Sequence, residues 1–167
     1  MKQNQKKKAI IKFCRKYIEL QSLYEKIFEK STNHLPFPDK IQKEIIINYT
    51  NMNLNLNKDK EIDLIHKNDK KLYELKSTTF LNGAVTISEK QAEEADYLIW
   101  MYINCLEHKI HIKYTNLNLK ESRIEIKELS KKRSFKIKNF FDKFEHTEIV
   151  INMDTMNVEN LNTEAYI

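Results

Sequence analysis

Glu61-Ile62-Asp63-Leu64-Ile65-His66, then Lys67-Asn68-Asp69-Lys70-Lys71, then Leu72-Tyr73-Glu74-Leu75-Lys76-Ser77: two apolar-rich runs flank a polar turn. That composition predicts a β-hairpin with a loop of ordinary length. Side chains alternate across a strand with period two, so Glu74 and Lys76 share one face while Tyr73 and Leu75 take the other. Asp63, on the paired strand, can reach the same spot. Two carboxylates suit a hard divalent cation, with the backbone carbonyl of Leu75 as a further ligand. The Lys76 ammonium would then orient an attacking water and lower its pKa.

Working outward, residues 51–60 are polar and Asn-rich, with Met52, Leu54 and Leu56 alternating as a weak edge strand would. Before them, Asp39 starts a short helix carrying Ile41, Ile45 and Tyr49 inward, with Glu44 riding on it. His34 to Pro38 breaks an earlier, long amphipathic helix from about Lys6 to Lys30. Its stripe is Ile10, Phe13, Tyr17, Leu20, Tyr24 and Ile27, widened by Ile11, Cys14, Ile18 and Phe28. A stripe this wide predicts packing on the chain's own core, although the spacing also allows pairing across a dimer.

Downstream of the hairpin, Gly83, the chain's one glycine, falls in the loop Thr78–Thr86, where a positive φ would explain it. Ser88 followed by Gln91 has the form of a capping box, opening a helix to about Ala95. Tyr97 to Ile103 reads as a buried strand, and Ile110, Ile112 and Tyr114 alternate as another. Ile124 and Ile126 read as strand-like in the same way. Phe135 to Phe144 has aromatics at helical spacing, Glu148 to Met153 is strand-like, and the tail 154–167 is expected to be loosely ordered. The expected architecture is α/β: a central mixed β-sheet flanked by helices, with a long N-terminal helix, in a single domain over 1–167 whose motif region is about 39–115.

The composition, 41% hydrophobic and 32% charged over 167 residues, is that of a globular domain with a proper core. The formal charge of +5 is unevenly placed. Lys2, Lys6, Lys7, Lys8, Lys12, Arg15 and Lys16 meet no acid before Glu19, and Lys131, Lys132, Arg133, Lys136 and Lys138 form a second run; both suit a polyanion. Cys14 and Cys105 lack metal or disulfide spacing, and no apolar stretch of signal or membrane length occurs, so a cytoplasmic protein without membrane partners is expected. One glycine excludes phosphate loops of the GxxxxGK[ST] and GxGxxG types. His108 and His111 are three apart, a spacing that splits across the two faces of a strand, no carboxylate or thiolate cluster accompanies them, and they read as structural.

Other acid-x-lysine triplets occur at Asp69-x-Lys71, Glu107-x-Lys109 and Glu125-x-Lys127. Only the last is strand-like, and its nearest upstream aspartate, Asp96, is distant. Asp63, a hairpin, Glu74-Leu75-Lys76-Ser77 and a following helix with Gln91 therefore stand out. Together they resemble the PD-(D/E)xK nuclease superfamily, and the small size resembles a compact type II restriction endonuclease; Ile62 stands where a proline gives the family its name. The resemblance implies a restriction-endonuclease-like core with Asp63, Glu74 and Lys76 as catalytic residues. Glu44 is a candidate for the family's acid on the preceding helix, and Gln91 for its polar residue on the following one.

Asp63, Glu74 and the Leu75 carbonyl would hold Mg2+, or Mn2+ in its place. Lys131, Lys132, Arg133, Lys136 and Lys138 become a candidate clamp on double-stranded DNA, and residues 77–86 and 116–123 candidate base readers. Cutting a palindromic site would favour a homodimer, and restriction would imply a cognate DNA methyltransferase encoded nearby. The remaining readings are a repair or junction-resolving nuclease of the same fold, and a non-catalytic DNA-binding protein.

Overall fold

The computed structural model describes residues 3–28, 35–58, 61–155 and 157–163. In chain order these form α1 (Gln3–Phe28), α2 (Asp39–Tyr49), β1 (Leu54–Leu56), β2 (Leu64–His66), β3 (Leu72–Thr78), β4 (Ala84–Val85) and α3 (Glu89–Glu94). They continue as β5 (Tyr97–Asn104), β6 (Lys109–Thr115), α4 (Leu119–Ser130), β7 (Phe135–Lys136), α5 (Ile137–Phe141), β8 (His146–Asn152) and β9 (Val158–Thr163). Lys2 of the basic run, the expected helix end at Lys30, the break at His34 and the last four residues lie outside the described residues.

The hairpin forms as its sequence predicts: β2 and β3 are antiparallel, with Leu64 opposite Tyr73 and Ile65 opposite Leu72. Asp69 closes the turn by accepting the Lys71 N–H at 3.2 Å, and Lys70 takes the left-handed φ of 61° that follows. β3 then pairs parallel with β5, and α3 makes the crossover between them. The full sheet is mixed and seven-stranded, ordered β1-β2-β3-β5-β6-β8-β9, with every pair antiparallel except β3 and β5. β4 and β7 make a separate two-stranded ladder.

Alternation sorts the sheet's two faces. Leu75, Ile99, Met101, Ile110 and Ile112 pack with Ile10, Cys14, Ile45 and Ile46 from α1 and α2. On the other face Leu98 and Trp100 pack with Ala92, Ile126, Ile137 and Phe141 from α3, α4 and α5. Glu74 lies opposite Leu98 and Lys76 opposite Trp100, which places both polar side chains on this second face. The fold is therefore α/β with helices on both sides of a mixed sheet. Among the described residues no helix is long and apolar enough to cross a membrane.

Four expectations are corrected. Ile124 and Ile126 belong to helix α4, not a strand: Asn118 caps it by accepting the Glu121 N–H at 3.0 Å, and Ser122, Ile126 and Leu129 are buried at helical spacing while Ile124 faces out. The tail is not loose over Val158–Thr163, which pair along β8 from Ile151 to His146 as the sheet's edge strand. Gly83 has no positive φ; a Cβ there would meet the Thr78 Cγ2 at 2.6 Å, so close approach of the β4 strand requires the glycine. The stripe of α1 splits as well: Ile10, Ile11, Cys14, Tyr17 and Ile18 are buried, whereas Phe13, Leu20, Ile27 and Phe28 are exposed.

Buried Asp96, just before β5, ties β3 to α4. Its Oδ2 accepts the Leu72 N–H at 2.8 Å, and its Oδ1 accepts from Arg123 Nε at 2.8 Å and from Arg123 Nη2. Asp96→Ala leaves the Leu72 amide and the guanidinium without their acceptor. We expect it to cost about 2 kcal/mol, less than a fully buried pair because Arg123 is half exposed. Urea unfolding with an unchanged slope and a lowered midpoint would show it.

Candidate active site

β2 and β3 hold register for only two residue pairs and then diverge, and Asp63 sits just before β2 where the strands fork. Its Oδ2 accepts the Leu75 N–H at 2.9 Å, taking the place of a strand partner. Within a strand a residue's N–H and C=O point to the same edge, so the Leu75 carbonyl faces the Asp63 side as well. The other Asp63 oxygen, Oδ1, is 2.8 Å from Lys43 Nζ of α2, and Lys43 also reaches Asp39 at 2.8 Å. Burial works against the Lys43 charge, but its hydrogen bonds to Asp39 and Asp63 and their negative charges outweigh that and raise its pKa.

Glu74 is 2% exposed. Its Oε1 accepts from Lys76 Nζ at 2.7 Å and from Gln91 Nε2 at 2.7 Å. Gln91 in turn accepts from Lys76 at 3.1 Å and from the Ser88 N–H at 3.1 Å, while the Ser88 hydroxyl accepts the Gln91 N–H. The capping box that starts α3 thus fixes the amide against the acid and the lysine, so one residue serves both roles. Glu74 Oε2 is buried and has no hydrogen-bond partner among the described residues. Burial pushes the Glu74 pKa up to about 7; the Lys76 charge opposes this, the Asp63 charge adds to it, and Lys43 opposes it.

The orphaned Oε2 bears on whether these residues fit a divalent cation. A buried carboxylate oxygen without a donor is costly, and a cation shared with Asp63 would satisfy it and hold Glu74 ionised. Among the described residues no group of three or more histidines, cysteines and acids is gathered. Magnesium is commonly held by one or two carboxylates with waters completing its octahedron, so Asp63, Glu74 and the Leu75 carbonyl are a sufficient donor set.

Of the expected site residues, Asp63, Glu74, Lys76 and Gln91 come together. Glu44 does not join them: it lines the same cleft, of about 360 Å³, as Asp39, Lys43 and Asp63, but its carboxylate is engaged by Lys6 at 2.6 Å and Asn48 at 3.0 Å. Glu61 is turned to Lys90 at 2.9 Å. Lys43 escaped the sequence reading; its signal was the Asp39–Lys43 spacing of four on one helix, but only the fold shows Asp63 as its second partner.

The other acid-x-lysine triplets have different fates. Asp69 and Lys71 pair in the hairpin turn, Glu107 and Lys109 pair at the start of β6, and Glu125 and Lys127 lie on a helix. His111 pairs with Glu148 at 2.6 Å and His108 with Asp154 at 3.0 Å. In the basic run, Lys131 pairs with Glu128 and Lys138 with Asp142, whereas Lys132, Arg133 and Lys136 are exposed and make no ion pair among the described residues. Residues 116–123 are largely spent on structure: Asn116 accepts from Thr147, Asn118 caps α4, Ser122 is buried and Arg123 holds Asp96.

The fold and site define an α/β protein with a buried acid–lysine–amide network at a strand fork. No protein-family model matches the chain, and neither curated proteins nor solved structures gave a match.

Proposed function

We propose that the protein is a magnesium-dependent type II restriction endonuclease with a restriction-endonuclease-like core, cutting double-stranded DNA at a short specific site and leaving 5′-phosphate ends. The observation that carries this reading is the buried Glu74, with one oxygen unpartnered among the described residues, set beside Asp63 at the fork and bonded to Lys76 and Gln91. A purely structural ion pair does not explain a carboxylate kept half-satisfied in a nearly inaccessible place.

Asp63, Glu74 and the Leu75 carbonyl would hold the metal. When bound, magnesium supplies a Lewis acid for the scissile phosphate and lowers the pKa of water. Lys76, held by Glu74 and Gln91, presents its ammonium beside the carboxylates, where it orients the attacking water and stabilises negative charge on its oxygen. Gln91 keeps the lysine in that rotamer. Attack forms the new P–O bond in line with the breaking P–O3′ bond, so the phosphate stays on the 5′ side.

Lys132, Arg133 and Lys136 supply the exposed positive charge on the α3–α5 side of the sheet, the side that also bears Glu74 and Lys76. Replacing all three by alanine is expected to weaken DNA binding uniformly across sequences and to reduce the slope of log K against log salt by roughly 2 to 3. Fluorescence anisotropy across a salt series measures it.

Purified protein incubated with unmethylated plasmid, with and without magnesium, tests the function. Discrete magnesium-dependent fragments are expected. Intact plasmid across metal and salt conditions would sink the nuclease reading and leave a DNA-binding protein. A cognate methyltransferase gene nearby separates restriction from a repair or junction-resolving role.

A further inference from the structure

Helix α1 is apolar on two faces. Its inner face, Ile10, Ile11, Cys14, Tyr17 and Ile18, packs into the core that lines the sheet. At about 100° per residue, Phe13, Leu20, Leu23 and Ile27 fall outside that face, Phe13 at its margin with its ring 5.8 Å from that of Phe37 and the other three on the far side. There they are 37%, 54%, 55% and 70% exposed. A helix with two apolar faces needs two partners, and among the described residues Leu20, Leu23 and Ile27 are left more than half exposed.

The outer face has heptad spacing. Phe13, Leu20 and Ile27 are seven apart, and Lys16 and Leu23, also seven apart, fall three residues after Phe13 and Leu20. These are the a and d positions of a helix-pairing seam. Its charges choose the partner and the direction. With a second copy parallel, Lys16 would face Lys16, two like charges in the seam. With the second copy antiparallel about a two-fold axis near residues 21 and 22, Leu20 meets Leu23 of the second copy, and Ile27 covers the aliphatic stem of its Lys16. That register also sets Glu19 beside Lys26 of the second copy, and the two-fold repeats the pair. The seam is self-complementary in shape and in sign.

We propose that the outer face of α1 is an isologous dimer interface in which two copies of this chain pair their first helices antiparallel. The pairing stands whether or not the protein cuts DNA.

Sedimentation of the full chain across the micromolar range tests it. A concentration-dependent rise from 20.1 kDa to twice that mass is expected. Leu23→Lys, at a position more than half exposed, abolishes the rise while helicity by circular dichroism stays unchanged. Glu19→Lys sets lysine against Lys26 twice and weakens dimerisation roughly tenfold, and Glu19→Lys with Lys26→Glu restores it. A wild type that stays monomeric, a dimer that survives Leu23→Lys, or a double reversal that fails to restore pairing would each overturn the proposal.

Discussion

On the proposed function, Lys76→Ala is expected to lower magnesium-dependent plasmid cleavage by at least about 100-fold, because it removes the ammonium that would orient the water and stabilise its charge. Metal binding should survive, since both carboxylates and the Leu75 carbonyl remain. Lys76 is, however, the strongest influence lowering the Glu74 pKa, so its loss shifts ionisation to higher pH. Manganese binding followed by electron paramagnetic resonance should therefore be retained well above the Glu74 transition and weakened below it. Cleavage that persists in Lys76→Ala would show that this lysine only neutralises Glu74. Loss of metal binding at every pH would show that it holds the site together.

Glu74→Gln should separate function from stability. The unfolded side chain titrates near 4.5 and the folded one near about 7, so between those values the folded protein holds the extra proton. The contribution of Glu74 to stability is full below 4.5 and is lost as pH rises to about 7, a loss of roughly 3 kcal/mol. Glutamine keeps an acceptor for Lys76 but cannot ionise. The variant should therefore lose cleavage and metal binding while the fall in unfolding free energy between those pH values disappears. Denaturant melts at a series of pH values measure this; an unchanged pH profile would mean that Glu74 ionises freely in the folded chain. In the wild type, metal affinity should rise with pH through about 7, because the ion binds the ionised acid.

The candidate site was legible to the extent that its residues are local. Glu74 and Lys76 share a face because strand period fixes it, and Ser88 and Gln91 bond because a capping box is a three-residue affair. That Gln91 belongs to the site came only from the resemblance, and its bond to Glu74 was not read at all, since it joins residues 17 apart. Glu125-Ile126-Lys127 misled because two isoleucines two apart fit a strand, while the helix is decided by the Asn118 cap and by burial of Ser122, Ile126 and Leu129 against the sheet. Val158–Thr163 escaped notice because an edge strand needs only backbone hydrogen bonds to β8, and its exposed residues carry no apolar alternation to read.

By itself the sequence determined the hairpin, strands over Tyr97–Ile103 and Ile110–Tyr114, the starts of α2 and α3 and the face shared by Glu74 and Lys76, because each follows from periodicity or capping over a few residues. Tertiary structure alone decided that Asp63 lies at the strand fork with Lys43 as its neighbour and that Glu74 is sealed from water. It also decided that Glu44 belongs to Lys6, and that one side of the α1 stripe faces away from the core. Those are matters of packing between distant segments, where burial sets proton affinity and ion-pair choice, and no local pattern encodes them.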